Sequence, residues 1–363
     1  MKRHRRKSRH AGLVVVLLAC AALAALVLSA CGGGSSSSSS GSSEGGSTSA
    51  SAESSGESLK LGYLVTGTLG NKDFFESANE AVEEAEEKLG AEVTTVQGGA
   101  EDPTAWEQDL EKMSAQGFDA IITTTEDDPE GLTAVMKKFS EQKYISFGEF
   151  VELPNVHSLT YKSNEGGYLS GVLAALITED PETYEHATGS LEVGFLTGLK
   201  LPATEEFEVG FKQGAEATNP KVSAKGAAIG SFSDTTKAYN LAAAMYDSGA
   251  DVIYSEAGGA QTGIAKAAKE KGRYMIGGTV DTNSLEPGYT IASDLKNVKD
   301  STYIAIEQLS QGVFKGGEAQ EFGAGEKGGM ELLMDPKYVS EEDMEKVEKV
   351  AEEIAAGKIQ VEK

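Results

Sequence analysis

Four histidines stand in the chain, His4, His10, His157 and His186, and no two are spaced as a metal-binding pair would be. Both cysteines, Cys20 and Cys31, lie near the amino terminus, so the sequence beyond Cys31 has no disulfide, thiolate metal site or cysteine nucleophile. No G-x-S-x-G elbow or Walker sequence occurs. The run Gly258-Gly259-Ala260-Gln261-Thr262-Gly263 follows an apolar stretch and opens a helical one, where backbone N–H groups can cradle an anion. It lacks the P-loop lysine and the G-x-G-x-x-G spacing, so it reads as a strand-to-helix turn against a small ligand. The many acids in helical segments read as solvated charge. Two carboxylates can still meet by folding, which keeps a hydrolase as a third reading. No motif supports one, and the chain reads as a binding protein, not an enzyme, with no cofactor or metal.

Ligands of open α/β sheets bind beyond the carboxyl ends of the strands. Those ends fall here at 66–75, 123–127, 198–207, 257–262 and 278–281. Aromatic residues at helix starts, beside polar turn residues, suit a flat ligand carrying hydroxyls. Phe74 and Phe75 open the first helix, and only one of them can face inward. The other is left to face a cleft.

The elements that must hold these loops alternate. Strands are expected near 59–66, 92–96, 119–123, 144–147 and 156–161, with helices near 74–89, 103–115 and 129–141 between them. Phe74, Ala78, Val82, Ala85 and Leu89 fall on one face of the first helix, and Gly90 stops it. The rhythm restarts with a helix near 163–177 whose Gly167, Gly171 and Ala175 share one side and permit close packing. Strands near 191–196, 222–229, 251–254, 273–276 and 289–295 follow, with helices around 207–215, 235–246, 261–271 and 298–312. An acidic amphipathic helix near 340–356 turns Met344, Val347, Val350 and Ile354 inward. Repeated βα units imply parallel sheets with helices on both faces. Two similar halves imply an α/β fold of two doubly wound parallel-sheet lobes. The division expected is 59–163 with 295–325 as one lobe, and 164–294 with 326–363 as the other.

The amino-terminal stretch is different in kind. Lys2, Arg3, Arg5, Arg6, Lys7 and Arg9 precede an apolar run from Ala11 to Leu28 that ends in Leu28-Ser29-Ala30-Cys31, the plan of a secretory signal over 1–30 with a cysteine at the cut. Cys31 is the expected lipid site. Cys20 is the rival, and an uncleaved anchor is the other possibility. Residues 32–58 are almost all Gly and Ser, a flexible tether with an r.m.s. reach of roughly 30 Å. The head takes six of the 32 basic residues and none of the 57 acidic ones, so the rest is more acidic than the net −25 of the whole chain. Such a surface repels phosphate and argues against nucleic acid and against anionic lipid headgroups as partners.

Leu153-Pro154-Asn155-Val156 through Glu165-Gly166-Gly167-Tyr168-Leu169-Ser170-Gly171 resembles the basic-membrane-protein family of substrate-binding lipoproteins. Phe207-Glu208-Val209-Gly210-Phe211, Gly230-Ser231-Phe232-Ser233-Asp234, Tyr246-Asp247-Ser248-Gly249-Ala250-Asp251-Val252-Ile253 and Ala257-Gly258-Gly259 continue the likeness, in order, from about Leu59 to the carboxyl terminus. The resemblance implies a type I periplasmic-binding fold: a monomer of two lobes closing on a ligand, anchored by lipid at the extracytoplasmic face and feeding an ABC permease. Its better understood members resemble purine nucleoside receptors, and a few relatives take riboflavin. Asn71-Lys72-Asp73-Phe74-Phe75 stands where the family shows D-K-S-F-N, so Phe74 keeps the stacking aromatic, Asn71 replaces the acid and Phe75 the amide. Phe207 matches a second aromatic, Lys296 a late lysine, and Gly258 and Gly259 the glycine turn. Thr279 takes the place of the family's first acid in G-V-D-S-D, with Asp281 after it. The resemblance therefore implies a ring sandwiched by Phe74 and Phe207, with Asn71 at its edge, Thr279 or Asp281 on hydroxyls and Lys296 nearby. Because the departures fall on ligand positions, a sugar or other small solute stays open, as does a tethered sensor that binds without transport.

Overall fold

Strands of four to seven residues, most of them followed by a helix, build the body as two sheets. The computed structural model describes residues 58–70, 74–98 and 102–363. The expectations for the leader, Cys31, the Gly/Ser tether and Asn71 lie outside the described residues.

The first half runs β1 (Lys60–Val65), α1 (Phe74–Leu89), β2 (Glu92–Gln97), α2 (Pro103–Ser114), β3 (Ala120–Thr123), α3 (Pro129–Lys138), β4 (Tyr144–Phe147) and β5 (Val156–Tyr161). The second runs α4 (Ser163–Glu179), β6 (Glu192–Thr197), α5 (Pro202–Thr218), β7 (Ser223–Ala228), α6 (Thr235–Asp247), β8 (Val252–Glu256), α7 (Gln261–Lys271), β9 (Tyr274–Thr279) and β10 (Thr290–Lys296). The chain closes with α8 (Val298–Ser310), β11 (Ala319–Phe322), β12 (Met330–Met334) and α9 (Glu341–Ala355). Local chemistry sets the boundaries. Asp102 and Asp128 accept from the backbone N–H groups of Ala105 and Gly131, with Pro103 and Pro129 opening α2 and α3. Gly90 ends α1 in the left-handed region, at φ 67°.

The two sheets repeat one topology. One has the order β11-β5-β4-β3-β1-β2 and the other β12-β10-β9-β8-β6-β7. All pairings are parallel except β12, which lies antiparallel on β10. That strand departs from the all-parallel expectation. It reaches the second sheet by crossing over from β11 at the edge of the first, and it closes the second sheet as an edge strand beside β10. Neither β11 nor β12 was legible beforehand. Ala319-Gln320-Glu321-Phe322 has one apolar side chain that is buried, and its pairing partner β5 is remote in sequence.

The chain passes between the sheets after β5, after β10 and after β11, because α4 packs on the second sheet while α8 packs beside α1 on the first. Helix α4 is buried along nearly its whole length. A Cβ on Gly167 or Gly171 would fall on the carbonyl oxygen of Phe207 or Phe211 in α5. Reciprocally, a Cβ on Gly210 or Gly214 would fall on the carbonyl of Asn164 or Tyr168 in α4. The two backbones touch, and four glycines are the reason they can.

Because the obstructing atoms are backbone, no rotamer change relieves an added methyl. Gly171→Ala and Gly214→Ala should each cost about 1–3 kcal/mol, even after the gain in helix propensity of about 1 kcal/mol. Chemical denaturation measures this directly. Unchanged midpoints would mean that the helices separate freely.

Candidate functional site

Two cavities compete. One, of about 330 Å³, lies beside the crossing from β11 to β12, lined by Gly325, Lys327, Met330, Val347 and Glu348 among others and by no aromatic ring. The other, of about 410 Å³, is lined by Phe74, Ser77, Thr279, Asp281, Lys296 and Lys299 among others. The second carries an aromatic ring and gathers the carboxyl ends of several strands: Phe74 follows the loop after β1, Thr279 ends β9, and Lys296 ends β10. A ring facing polar groups at strand ends makes it the candidate site.

The start of α1 divides its two phenylalanines. Phe75 is the inward one, 6% exposed, and it fits because Gly67 has no side chain: a Cβ there would lie 2.6 Å from the Phe75 ring. The Tyr63 hydroxyl donates to the Phe75 carbonyl at 2.7 Å and pins the turn. Phe74 is half-buried, stacked on Phe75 at 4.2 Å between centroids and set edge-on to Phe147 at 5.8 Å. The expected inward face of α1 thus shifts by one residue at its start, and Phe74 is the ring that lines the cleft. Phe75 does not line it.

Opposite stand the carboxyl ends of β9 and β10 in the second sheet. Lys296 lies 3.6 Å from Glu126 Oε1, which belongs to the loop after β3, so the pair bridges the two sheets. The lysine also stands over the Tyr161 ring, 5.9 Å from its centroid. Asp281 is exposed, and its Oδ1 accepts from the Asn283 backbone N–H. Thr279 is half-buried with φ at 70°, a left-handed conformation that a β-branched residue rarely adopts.

Behind Thr279 lies a buried polar group that the sequence reading did not single out. Its hydroxyl donates to Glu256 Oε2 at 2.9 Å. The Tyr254 hydroxyl lies 2.7 Å from Glu256 Oε1 and 2.6 Å from Asp294 Oδ2. Glu256 is 5% exposed, and Tyr254 and Asp294 are fully buried. Asp294 Oδ1 has no hydrogen-bond partner among the described residues. Asp251 shows what a buried carboxylate needs: it accepts from Thr178 Oγ1, from the N–H and Oγ1 of Thr188, and from Ser190 Oγ. Lacking such donors, Asp294 is pushed well above the carboxylate range, first by burial and then by the charge of Glu256. Burial also raises Glu256, to about 7, against the opposing pull of its Tyr254 and Thr279 hydrogen bonds and of Lys296. The signal available beforehand was an acid inside an otherwise apolar strand, in Val252-Ile253-Tyr254-Ser255-Glu256 and in Thr290-Ile291-Ala292-Ser293-Asp294-Leu295.

The remaining expected residues fall elsewhere. Phe207, 4% exposed, sits in the core with its ring 6.4 Å from that of Tyr254, and it does not line the cleft. Its place on α5 is fixed by the backbone contact with Gly167. The structure therefore does not bring Phe74 and Phe207 to opposite sides of this cavity. Gly258 and Gly259 form an exposed turn after β8, against the Phe232 carbonyl, and Gly258 needs its positive φ of 53° there. Neither glycine lines the cleft.

Residues 58–363 match the family described as ABC transporter substrate-binding protein PnrA-like. Basic membrane protein A of Borreliella afzelii is 28% identical over 302 residues, covering 81% of this chain and 89% of that protein. An ABC transporter solute-binding protein from Conexibacter woesei aligns with a TM-score of 0.69 at 24% identity, over 84% of this chain and 99% of that one. Another from Aeropyrum pernix aligns with a TM-score of 0.66 at 24% identity, over 84% and 93%. These structural likenesses bear on the fold, which is the type I periplasmic-binding architecture of two α/β lobes.

The buried acids give stability a measurable pH dependence. Folded Glu256 holds its proton up to about pH 7, whereas an unfolded glutamate releases it near the ordinary value of 4.5. The folded form therefore binds more protons across this window. The stabilisation is complete below the unfolded value and is lost as pH rises through about 7. Glu256→Gln should remove the slope, so that the variant gains on wild type by roughly 3 kcal/mol between pH 4.5 and 8. Unfolding free energies measured across that range check it, and a constant difference between the two proteins would contradict the assignment.

Proposed function

The chain belongs to the PnrA-like family of ABC transporter substrate-binding proteins, and from that premise we propose that it is a lipid-anchored, monomeric receptor delivering a nucleoside or similarly flat, hydroxyl-bearing solute to an ABC permease. One observation carries the ligand class: a half-buried ring, Phe74, forms one wall of a cleft whose other wall is Thr279, Asp281 and Lys296. A ring face and a set of directional polar groups are what a base joined to a sugar requires. The volume of about 410 Å³ is within the range of small-molecule sites.

In this reading Phe74 stacks on the base, Thr279 and Asp281 meet the hydroxyls, and Asn71, both donor and acceptor, addresses the ring edge. Phe75, Phe207, Gly258 and Gly259 act behind these groups, shaping the walls. Lys296 stands between the ligand and Glu126, so a bound solute that engages the lysine also engages the contact between the lobes. Closure is then a hinge motion about the three crossings. A sugar is the second reading, favoured by the single aromatic ring lining the cleft.

Among the described residues no helix is long and apolar enough to cross a membrane. Attachment in this proposal falls to the lipid on Cys31, with residues 32–58 as the tether.

Thermal shift of the full chain against inosine, adenosine, guanosine, riboflavin and a set of sugars tests the ligand class, since a ligand bound to the folded state alone raises the midpoint. Phe74→Ala should weaken binding of a flat ligand by roughly 1–3 kcal/mol at little cost in stability. Phe75→Ala should lower stability by about 3–5 kcal/mol and spare affinity. Shifts with sugars alone would transfer the assignment to the second reading. For the anchor, Cys31→Ala should abolish labelling by a fatty-acid analogue, and labelling that persists would move the site to Cys20.

A further inference from the structure

The Thr279 hydroxyl belongs to the cleft wall, yet its hydrogen is committed behind that wall. It has a single hydrogen and two lone pairs. The hydrogen goes to Glu256 Oε2 at 2.9 Å, while the residue itself lines the cleft. Its backbone is held at φ 70°, a strained setting for threonine that turns the side chain back toward β8. The Tyr254 hydroxyl likewise has one hydrogen but lies within 2.7 Å of two carboxyl groups. It can donate to only one of them, so the other must donate to it. A neutral Asp294 donating to Tyr254, Tyr254 donating to Glu256, and Thr279 donating to Glu256 satisfies every one of these contacts, with the proton on the carboxyl group that burial and its neighbour push well above the usual range. It leaves Glu256 as the ionised member, accepting at both oxygens.

We propose that Glu256 is a specificity-determining positioning residue: while ionised it holds the Thr279 hydrogen, so Thr279 shows the cleft only lone pairs and selects a ligand carrying a hydrogen-bond donor there, a hydroxyl or an N–H. A proton added to Glu256 reverses the choice. It resides on Oε2 and donates to Thr279 Oγ1, and the Thr279 hydrogen turns to the cleft; no other bond changes. The cleft then accepts an acceptor at the same point. The inference rests on the cleft being the ligand site, and it names the chemistry of one contact there.

Groups on every packed element bear on this proton. Tyr254 shares β8 with Glu256; Asp294 and Lys296 come from β10. Glu126 faces Lys296 from the first sheet. On α4, Glu165 is engaged elsewhere, by Lys162 and by the Ala324 backbone N–H. Burial places the Glu256 transition at about 7, where both states of Thr279 are populated.

Infrared spectroscopy of the full ligand-free chain between pH 4 and 9 follows the carbonyl stretch of protonated carboxyl groups. Wild type should show a band lost near neutral pH that is missing in Glu256→Gln. Thr279→Val removes a donor from the ionised form and should move this transition upward, and Thr279→Ser should restore it. A transition unmoved in Thr279→Val, in protein that retains its melting midpoint, would overturn the proposal. Calorimetry with inosine and its 2′-deoxy-2′-fluoro and 3′-deoxy-3′-fluoro analogues, which keep an acceptor and lose the donor, reads the selection. At pH 8 one fluoro analogue should bind about tenfold more weakly than inosine, and this ratio should shrink at pH 6 and in Glu256→Gln. Equal ratios at both pH values, or uniform weakening of all three nucleosides in Glu256→Gln, would reduce Glu256 to a structural role and sink the inference. If none of the three binds, the nucleoside reading fails by itself, and the infrared transition alone decides for or against the Thr279 relay.

Discussion

Helix α4 must lie against α5 closely enough for their backbones to meet, and much of the molecule is arranged around that contact. It is bought with four glycines, two on each helix, at positions where any side chain would strike a carbonyl oxygen. Helix α4 directly follows the first passage between the sheets, so its position fixes where that crossing lies. Its amino-terminal turn also covers Asp294, whose carboxylate occupies the space that a Cβ on Gly166 would need. From the same turn, Asn164 donates to the carbonyls of Val361 and Glu362 and holds the end of the chain against the crossings. Lys363 continues this path to Glu321 on β11, in the other sheet. A single close helix pair thus organises the pivot, the buried acid and the carboxyl-terminal segment together.

The chain uses its acids in two ways. The great majority are exposed and give the body its net negative charge, with surface pairs such as Lys346 with Glu342 contributing little to stability. A few are buried, and their surroundings differ. Asp251 is surrounded by hydroxyl and amide donors that satisfy a charge. Glu256 and Asp294 share one tyrosine hydroxyl. Two carboxyl groups so placed cannot both stay charged at low cost, because each raises the energy of the other where little water screens them. The consequence reaches the cleft through Thr279, whose hydroxyl joins this pair to the wall where Phe74, Asp281 and Lys296 stand.

The family places the protein among ABC transporter substrate-binding proteins, and its architecture separates a frame from the loops at strand ends. The frame is sheet order, helix packing and glycine contacts. The proposed ligand surface lies at strand and helix ends, where Thr279 stands at a position of the family motif with a different side chain. An exchange at Gly171 or Phe75 would instead disturb the packing of the frame.

The sequence alone settled the alternation of strands and helices, the small-residue side of α4, and the choice of Phe74 or Phe75 as the cleft-facing ring. Each of these follows from the period of the chain and from side-chain chemistry within one element. It also carried the family motifs. Only the tertiary structure decided which phenylalanine faces the cleft, that Phe207 belongs to the core, and that β11 and β12 complete the sheets. It alone brought Glu256 to Tyr254, Asp294 and Thr279, from three different strands. Periodicity tells which side of its own element a residue occupies; what waits on that side depends on strand order and on how closely two helices approach, and both are set by contacts remote in sequence.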